Sequence, residues 1–333
     1  MNASALKRIS GMTPVVAIAL AAACITAASP ALSQSYPTRT VRIVVPFPPG
    51  AGTDVVARAV AGKIAPMLGQ SVIAENRPGA GGTVGSEHVA NAPKDGYTIL
   101  MGNTSTLAIA PALYSRLRYD PRRDFAPVAL VTTTENVMVV HPSLPARTVK
   151  DLIALARKRP GQIFYGSSGS GTTSHLGGAL FKSMAKIDIV HVPYKGSPLA
   201  LTDLLAGQTQ MSVTSLSSGT PLIAAGRLRA IATTGLKRNA LLPDVPTIDE
   251  SGLKGYETNL WQGFVVPAGT PQPIVDRLNA VMVKAVRSPD ISSAFAKRGM
   301  VSGGSNAAEF AAFIKREQAK WADIVERAGA RVE

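Results

Sequence analysis

The spacing of apolar residues changes abruptly near the start of the 333-residue chain. Val41, Ile43, Val44 and Val45 form a β-branched run suited to a buried strand. Pro46 to Gly52 cannot continue it, and Val55, Val56, Val60 and Ile64 then recur at helical spacing. The alternation continues with a strand near Ser71 to Asn76, the glycine-rich turn RPGAGGTVG, a helix from about Thr83 to Ala92 and a strand from Tyr97 to Met101. That strand runs into the polar turn Gly102-Asn103-Thr104-Ser105-Thr106 and a short helix. A βαβαβα order predicts an α/β fold, a mostly parallel sheet flanked by helices.

Val128 to Val131 and Val137 to Val140 read as strands, and His141 to Pro145 as a crossing into a second unit of the same kind. Thr148 and Asp151 have the spacing of a capping box. Strand Ile163 to Tyr165 then meets GSSGSGTTSH and a helix through Met184; strand Ile187 to Val192 meets PYKGSP and a helix through Leu205; strand Gln210 to Val213 meets Thr214-Ser215. The tail is helical, with Pro271 expected at the first helical position behind Thr270 and an apolar face of Ile274, Leu278, Val281, Met282 and Ala285. Asn306 and Glu309 cap a last helix whose stripe of Phe310, Phe313, Ile314, Trp321, Ile324 and Val325 reads as core rather than as ligand contacts.

The first 33 residues have a different character. Lys7 and Arg8 precede an apolar stretch from Met12 to Ala28, and Ala31-Leu32-Ser33 is a small-x-small cleavage site, so a mature chain starting near Gln34 to Tyr36 is expected in the periplasm. A membrane anchor would need about twenty apolar residues and firmer flanks. Ala21-Ala22-Ala23-Cys24 loosely resembles a lipoprotein processing site, but an apolar residue such as leucine would be expected at Ala21. Cys24 is the one cysteine and lies inside the signal, which leaves the exported chain without disulfides, thiolate metal sites or a cysteine nucleophile. About 300 remaining residues favour two lobes, 36–138 with 258–333 and 139–257; because candidate ligand donors are split between the two, closure about a hinge near 138 and 258 is expected to bring both to one anion.

The formal net charge of +14 falls to +12 when Lys7 and Arg8 leave with the signal, and such a field attracts anions. Scattered Lys and Arg and only 5% aromatics argue against nucleic acid and for small carboxylates. Ligands of open parallel sheets bind outside the carboxyl ends of strands, which here carry PFPPGAGTD, GNTST, GSSGSGTTSH, PYKGS and Thr214-Ser215. These turns are rich in backbone N–H, hydroxyl and glycine and nearly free of Asp, Glu and Arg. They suit recognition of a carboxylate by neutral donors, although any one alone is ordinary turn chemistry. Asp54 is the exception. It either offsets the macrodipole of its helix or orients the turn and its waters around a ligand, and pairing with a ligand ammonium is a third reading.

An enzyme is the competing class. GSSGSG never places glycine two residues either side of a serine, as a hydrolase elbow requires. His88, His141, His175 and His191 are dispersed, with no metal spacing, and Gly50-Ala51-Gly52-Thr53-Asp54-Val55 lacks the third glycine of a dinucleotide fingerprint. No catalytic residue, cofactor or metal is expected.

Taken in order, YPTRTVRIVVPFPPGAGTDVVAR, NRPGAGGTVGSEHVANAPKDGYTIL, VPYKGSPLALTDLLAGQ, LPDVPTIDESGL and VVPAGTPQPIVDRLN resemble the recurring segments of Bug-type substrate-binding proteins of tripartite tricarboxylate transport systems. The resemblance covers essentially everything after the signal. It implies a type II-like periplasmic-binding-protein fold, two α/β lobes joined by crossing strands, with a cleft that closes on ligand. It implies a non-catalytic, monomeric solute receptor for small dicarboxylates, tricarboxylates, acidic amino acids, nicotinate-like or aromatic acids. Its partners would be membrane components of a transporter or a sensor. Carried onto this chain, the site comprises Phe47, Gly50, Gly52, Thr53 and Asp54 of the first turn and Ser167, Ser168, Gly171, Thr172 and Thr173 of the serine-rich turn. Asn103, Thr104, Ser105 and Tyr194 line the cleft. Two departures stand out. Ala51 interrupts a commoner Gly-Gly pair, and Thr214 replaces a frequent aspartate, which leaves the site without an obvious partner for a ligand amine.

Overall fold

The structure, a computed structural model, describes residues 36–330. The expected signal, residues 1–33, and Cys24 lie outside them. Among the described residues, those from Arg39 onward form a single compact unit.

Strand β1 (Val41–Val45) leads through the proline-glycine turn into helix α1 (Gly52–Leu68), followed by β2 (Val72–Asn76), α2 (Thr83–Ala90) and β3 (Thr98–Asn103). β1 pairs in parallel with β2 and with β3, as the alternating pattern requires. After β3 the chain makes a π-helical turn, Ser105–Ile109, and the one-turn α3 (Ala110–Leu113). Next comes β4 (Phe125–Val140), a continuous 16-residue strand where the sequence reads as two short ones.

The second half repeats the motif: α4 (Val149–Lys158), β5 (Phe164–Ser167), α5 (Thr173–Ala185), β6 (Val190–Pro193), α6 (Ser197–Leu205), β7 (Met211–Ser215), α7 (Leu216–Ala224) and β8 (Arg229–Thr233). β5 pairs in parallel with β6 and β7. The chain returns through β9 (Asn259–Pro267), α8 (Gln272–Val286), α9 (Pro289–Ala296), β10 (Met300–Ser302) and α10 (Ala307–Arg327). Both expected capping boxes form, Thr148 with Asp151 and Asn306 with Glu309. Pro271 is the N-cap of α8 rather than its first residue, because Pro273 takes the early helical position instead.

The strand order β2-β1-β3-β9-β4-β7-β5-β6 hinges on β4. Its residues 125–135 pair antiparallel with β9, 136–140 pair with β7 on one side, and 137–140 pair with β8 on the other. The sheet is therefore parallel at its flanks and antiparallel at its centre, because β4 and β9 are crossing strands rather than steps of a βαβ unit. The fold is the two-lobe periplasmic-binding-protein architecture expected from the sequence. Phe310 and Trp321 of the last helix are fully buried, with Trp261 of β9 edge-on to Phe310 at 5.8 Å between centroids.

Candidate functional site

Four helices begin around one cavity. Ala51, Gly52 and Thr53 reach it from the start of α1, Thr172, Thr173 and Ser174 from α5, Ser197 from α6 and Ser215 from α7. The first N–H groups of a helix have no intrahelical partner, and the macrodipole gives that end a partial positive charge. The N-caps of α1, α6 and α7 are Ala51, Gly196 and Ser215, and no side chain caps any of them. Asn103, Ser105, Ser168, Asn136 and Thr214 add neutral polar groups, while Phe47 and Leu260 add apolar wall. The lining holds no Asp, Glu, Lys, Arg or His. The cavity is about 50 Å³. At roughly 10–15 Å³ per water on the same measure, that is room for a few water-sized groups, such as a carboxylate and a short stem.

Of the residues expected from the sequence, Phe47, Gly52, Thr53, Asn103, Ser105, Ser168, Thr172, Thr173 and Thr214 line this cavity. Gly50, Asp54, Thr104, Ser167, Gly171 and Tyr194 do not. Asp54 is 4% exposed and turned into its own loop: it accepts from the Gly50 amide at 3.0 Å, from Arg58 Nε at 2.9 Å and from Asn76 Nδ2 at 2.8 Å. Burial pushes its carboxyl up, but hydrogen bonds from Arg58, Asn76 and the Gly50 amide prevail and hold it below the ordinary value. Both oxygens are engaged inside the turn, the geometry of the loop-orienting role. Gly50, at φ 79°, is the left-handed residue that lets its amide turn back onto that carboxylate. Thr104 Oγ1 accepts from the Trp261 amide at 2.8 Å, tying β3 to β9. Ser167 Oγ lies 2.6 Å from His191 Nε2, and the Gly171 amide donates to His175 Nδ1 at 3.3 Å. Tyr194 donates its hydroxyl to Asp203 at 2.8 Å.

Tyr194 instead walls a second space of about 500 Å³, whose lining includes Pro46, Pro48, Pro78, Pro193 and Lys195 and shares Phe47 and Ser168 with the inner cavity. Its rim is tight: a side chain on Gly81 would collide with the Ser170 carbonyl, and one on Gly196 with Pro48. A polar inner pocket thus adjoins a roomier, proline-walled vestibule.

The sequence motifs do not point to Asn136 or Leu260, and within the turns they mark they do not single out Ser174, Ser197 or Ser215; Ala51 they mark only as a departure from a Gly-Gly pair. Asn136 had a signal: it is a polar interruption in the run TENVMVV, which an ordinary buried strand would not carry. Leu260 had none, because β9 was not read as a strand.

Residues 56–330 match the model of the tripartite tricarboxylate transporter family receptor. The chain belongs to this family. BugT of Bordetella pertussis is 34% identical over 319 residues, covering 96% of this chain and 97% of that one. Among solved structures, Rpa4515 of R. palustris with adipate is 38% identical with a TM-score of 0.86, covering 89% of this chain and all of that one. MatC from Rhodopseudomonas palustris with bound malate is 32% identical with a TM-score of 0.84, covering 87% of this chain and all of that one. The protein is accordingly a solute-binding receptor of the Bug type and not an enzyme. No helix among the described residues is long and apolar enough to cross a membrane.

Proposed function

We propose that the receptor captures a small organic acid in the periplasm, with the acid's carboxylate held in the inner pocket. The observation that carries this reading is the convergence of four helix starts on a lining with no charged side chain. An anion placed there meets partial positive ends worth about 0.3–2 kcal/mol each, so together they offset several kcal/mol of desolvation. A carboxylate or sulfonate fits; a free amine finds no counter-charge, since Asp54 is spent on its own turn. The adipate and malate of the neighbouring structures favour a carboxylate.

The remainder of the ligand extends into the vestibule, whose prolines, Phe47 and Tyr194 suit the chain of a dicarboxylate or tricarboxylate or the ring of an aromatic or nicotinate-like acid. Lobes 36–138 with 258–333 and 139–257 close on it. The loaded receptor hands its ligand to membrane components of a tripartite tricarboxylate transporter or to a sensor, as a monomer released by signal cleavage.

Calorimetric titration of ligand-free protein with a panel of organic acids and their esters tests this. Saturable binding of free acids, lost on esterification, is expected. Binding of esters as tight as the acids, or of none of the panel, would overturn the carboxylate reading.

A further inference from the structure

Asn136 stands where β4 leaves β9 and joins β7, and its backbone is fixed on both sides. Its N–H donates to Thr234 Oγ1 at 3.0 Å, and its carbonyl accepts from the Thr234 amide at 3.0 Å. The residue is 1% exposed and lines the inner pocket, yet neither Nδ2 nor Oδ1 of its side chain has a hydrogen-bond partner. Thr214, one pair along the same ladder, also lines the pocket, but it pairs with Val137, so its side chain leaves the sheet on the opposite face from that of Asn136. Buried polar groups are almost always hydrogen-bonded, and the two orphan atoms of the Asn136 carboxamide define what an occupant beside it must offer.

Building on the carboxylate reading, we infer that the preferred ligand is a 2-hydroxy acid, its hydroxyl paired with Asn136. A carboxamide has one oxygen that only accepts and one nitrogen that only donates, whichever way it is turned. A carboxylate accepts, so it satisfies Asn136 Nδ2 and leaves Asn136 Oδ1 bare. The ligand must therefore bring a donor as well. An ammonium would supply one, but no acidic side chain lines the pocket to balance its charge. A hydroxyl donates to Oδ1 at no charge cost and accepts in return. The cavity is only about 50 Å³, so this hydroxyl and the carboxylate share a space of a few water-sized groups. That requirement puts the hydroxyl on the carbon next to the carboxylate.

The test is calorimetric titration of wild-type protein with matched pairs: succinate and malate, glutarate and 2-hydroxyglutarate, adipate and 2-hydroxyadipate, phenylacetate and mandelate. For whichever body fits the vestibule, the hydroxy acid is expected to bind about tenfold more tightly or better, as when a buried acceptor gains its partner. In Asn136→Leu that ratio is expected to fall to about two or lower, whatever happens to either absolute affinity. Unsubstituted acids that bind as tightly as their hydroxy partners would overturn the inference while leaving the carboxylate reading intact. So would binding confined to benzoate or nicotinate, whose carbon next to the carboxylate is a ring carbon that cannot carry a hydroxyl, or a 2-amino acid such as aspartate outcompeting malate. If no acid binds at all, the carboxylate reading itself fails. The wild-type comparison decides the matter even where the variant does not fold.

Discussion

Ser167 Oγ and His191 Nε2 lie 2.6 Å apart beneath the serine-rich turn, a nucleophile-and-base spacing that is sealed from the cleft. Ser167 is fully buried, and its Oγ also accepts from the Gly169 amide at 3.2 Å, so its proton goes to His191. His191 stacks on Tyr165 at 4.9 Å and on His175 at 4.2 Å, and His175 Nδ1 accepts from the Gly171 amide. Both imidazoles are thus neutral acceptors supporting the turn that carries Ser168, Thr172 and Thr173.

Burial lowers the pKa of His175 to about 4, and burial with the neighbouring His175 lowers that of His191 to about 3. The unfolded chain takes up protons on these rings below about 6.5, while the folded chain resists until about 4. Stability is therefore at full value above about pH 6.5 and declines as pH falls through the window down to the folded values. Thermal melts from pH 7.5 to 4 should show this decline, and His191→Gln should flatten it. A wild-type profile level across the window would refute the assignment.

Asp54→Asn should lower folding stability by about 1–3 kcal/mol, because it discharges a buried acceptor that serves Arg58, Asn76 and the Gly50 amide. Arg58→Gln should remove part of the same energy, so the double variant costs less than the sum of the two. Strict additivity in urea unfolding would show that the two side chains do not act together.

Gly52 touches the opposite wall: a Cβ there would lie 2.8 Å from Ser217 Oγ. Gly52→Ala should weaken ligand binding by a few-fold to roughly tenfold, since either Ser217 Oγ turns away and gives up its 3.2 Å contact with Ser215 Oγ or the start of α1 backs away from that of α7. The Ser217 Cβ is 4.0 Å from the same point, so Ser217→Ala in the same chain should recover most of the loss. Failure of that rescue in calorimetry would locate the effect elsewhere.

Thr214→Asp should weaken a plain dicarboxylate by roughly tenfold or more, through like-charge repulsion in a buried pocket. The loss should shrink as pH is lowered, because the new carboxyl then becomes neutral. A loss independent of pH would point to steric rather than electrostatic exclusion.

Closure is open to a solution measurement. β4 changes partners between Glu135 and Asn136, and β9 begins at Asn259 just after the Thr258 amide donates to the Thr234 carbonyl. A hinge at those crossings predicts a smaller radius of gyration with ligand bound, read by small-angle scattering. An unchanged radius at saturation would argue for a rigid cleft.

The legible parts of this molecule were those written in local chemistry. Pro46 to Gly52 and the threonine-serine cap of α5 announce strand ends and helix starts through residues that can adopt few other conformations. What stayed hidden depended on distant partners. Thr132, Thr134 and Asn136 break the apolar run of β4, so the strand read as two pieces. They are buried because β10 and β7 lie alongside, pairings that no short window contains. α7 opens with LSSG and carries Pro221 inside, against its local propensity. Ser167 and Ser168 look equivalent in sequence, yet Ser167 ends β5 with its hydroxyl on His191, whereas Ser168 lies past the strand's end, at the cavity.

The unbroken course of β4 constrains how this scaffold can acquire new ligands. Side chains alternate faces along a strand, so inserting or deleting one residue before Asn136 would turn that amide away from the pocket and reverse the inward and outward positions of Val137 to Val140 together. The turn from Gly79 to Gly82 and the turn at Lys195 lie outside any strand, so a change of length there would disturb their close packing on Ser170 and Pro48 but reverse no strand faces. Diversification by changes of length is therefore open to the vestibule, whereas the pocket floor can change only one side chain at a time.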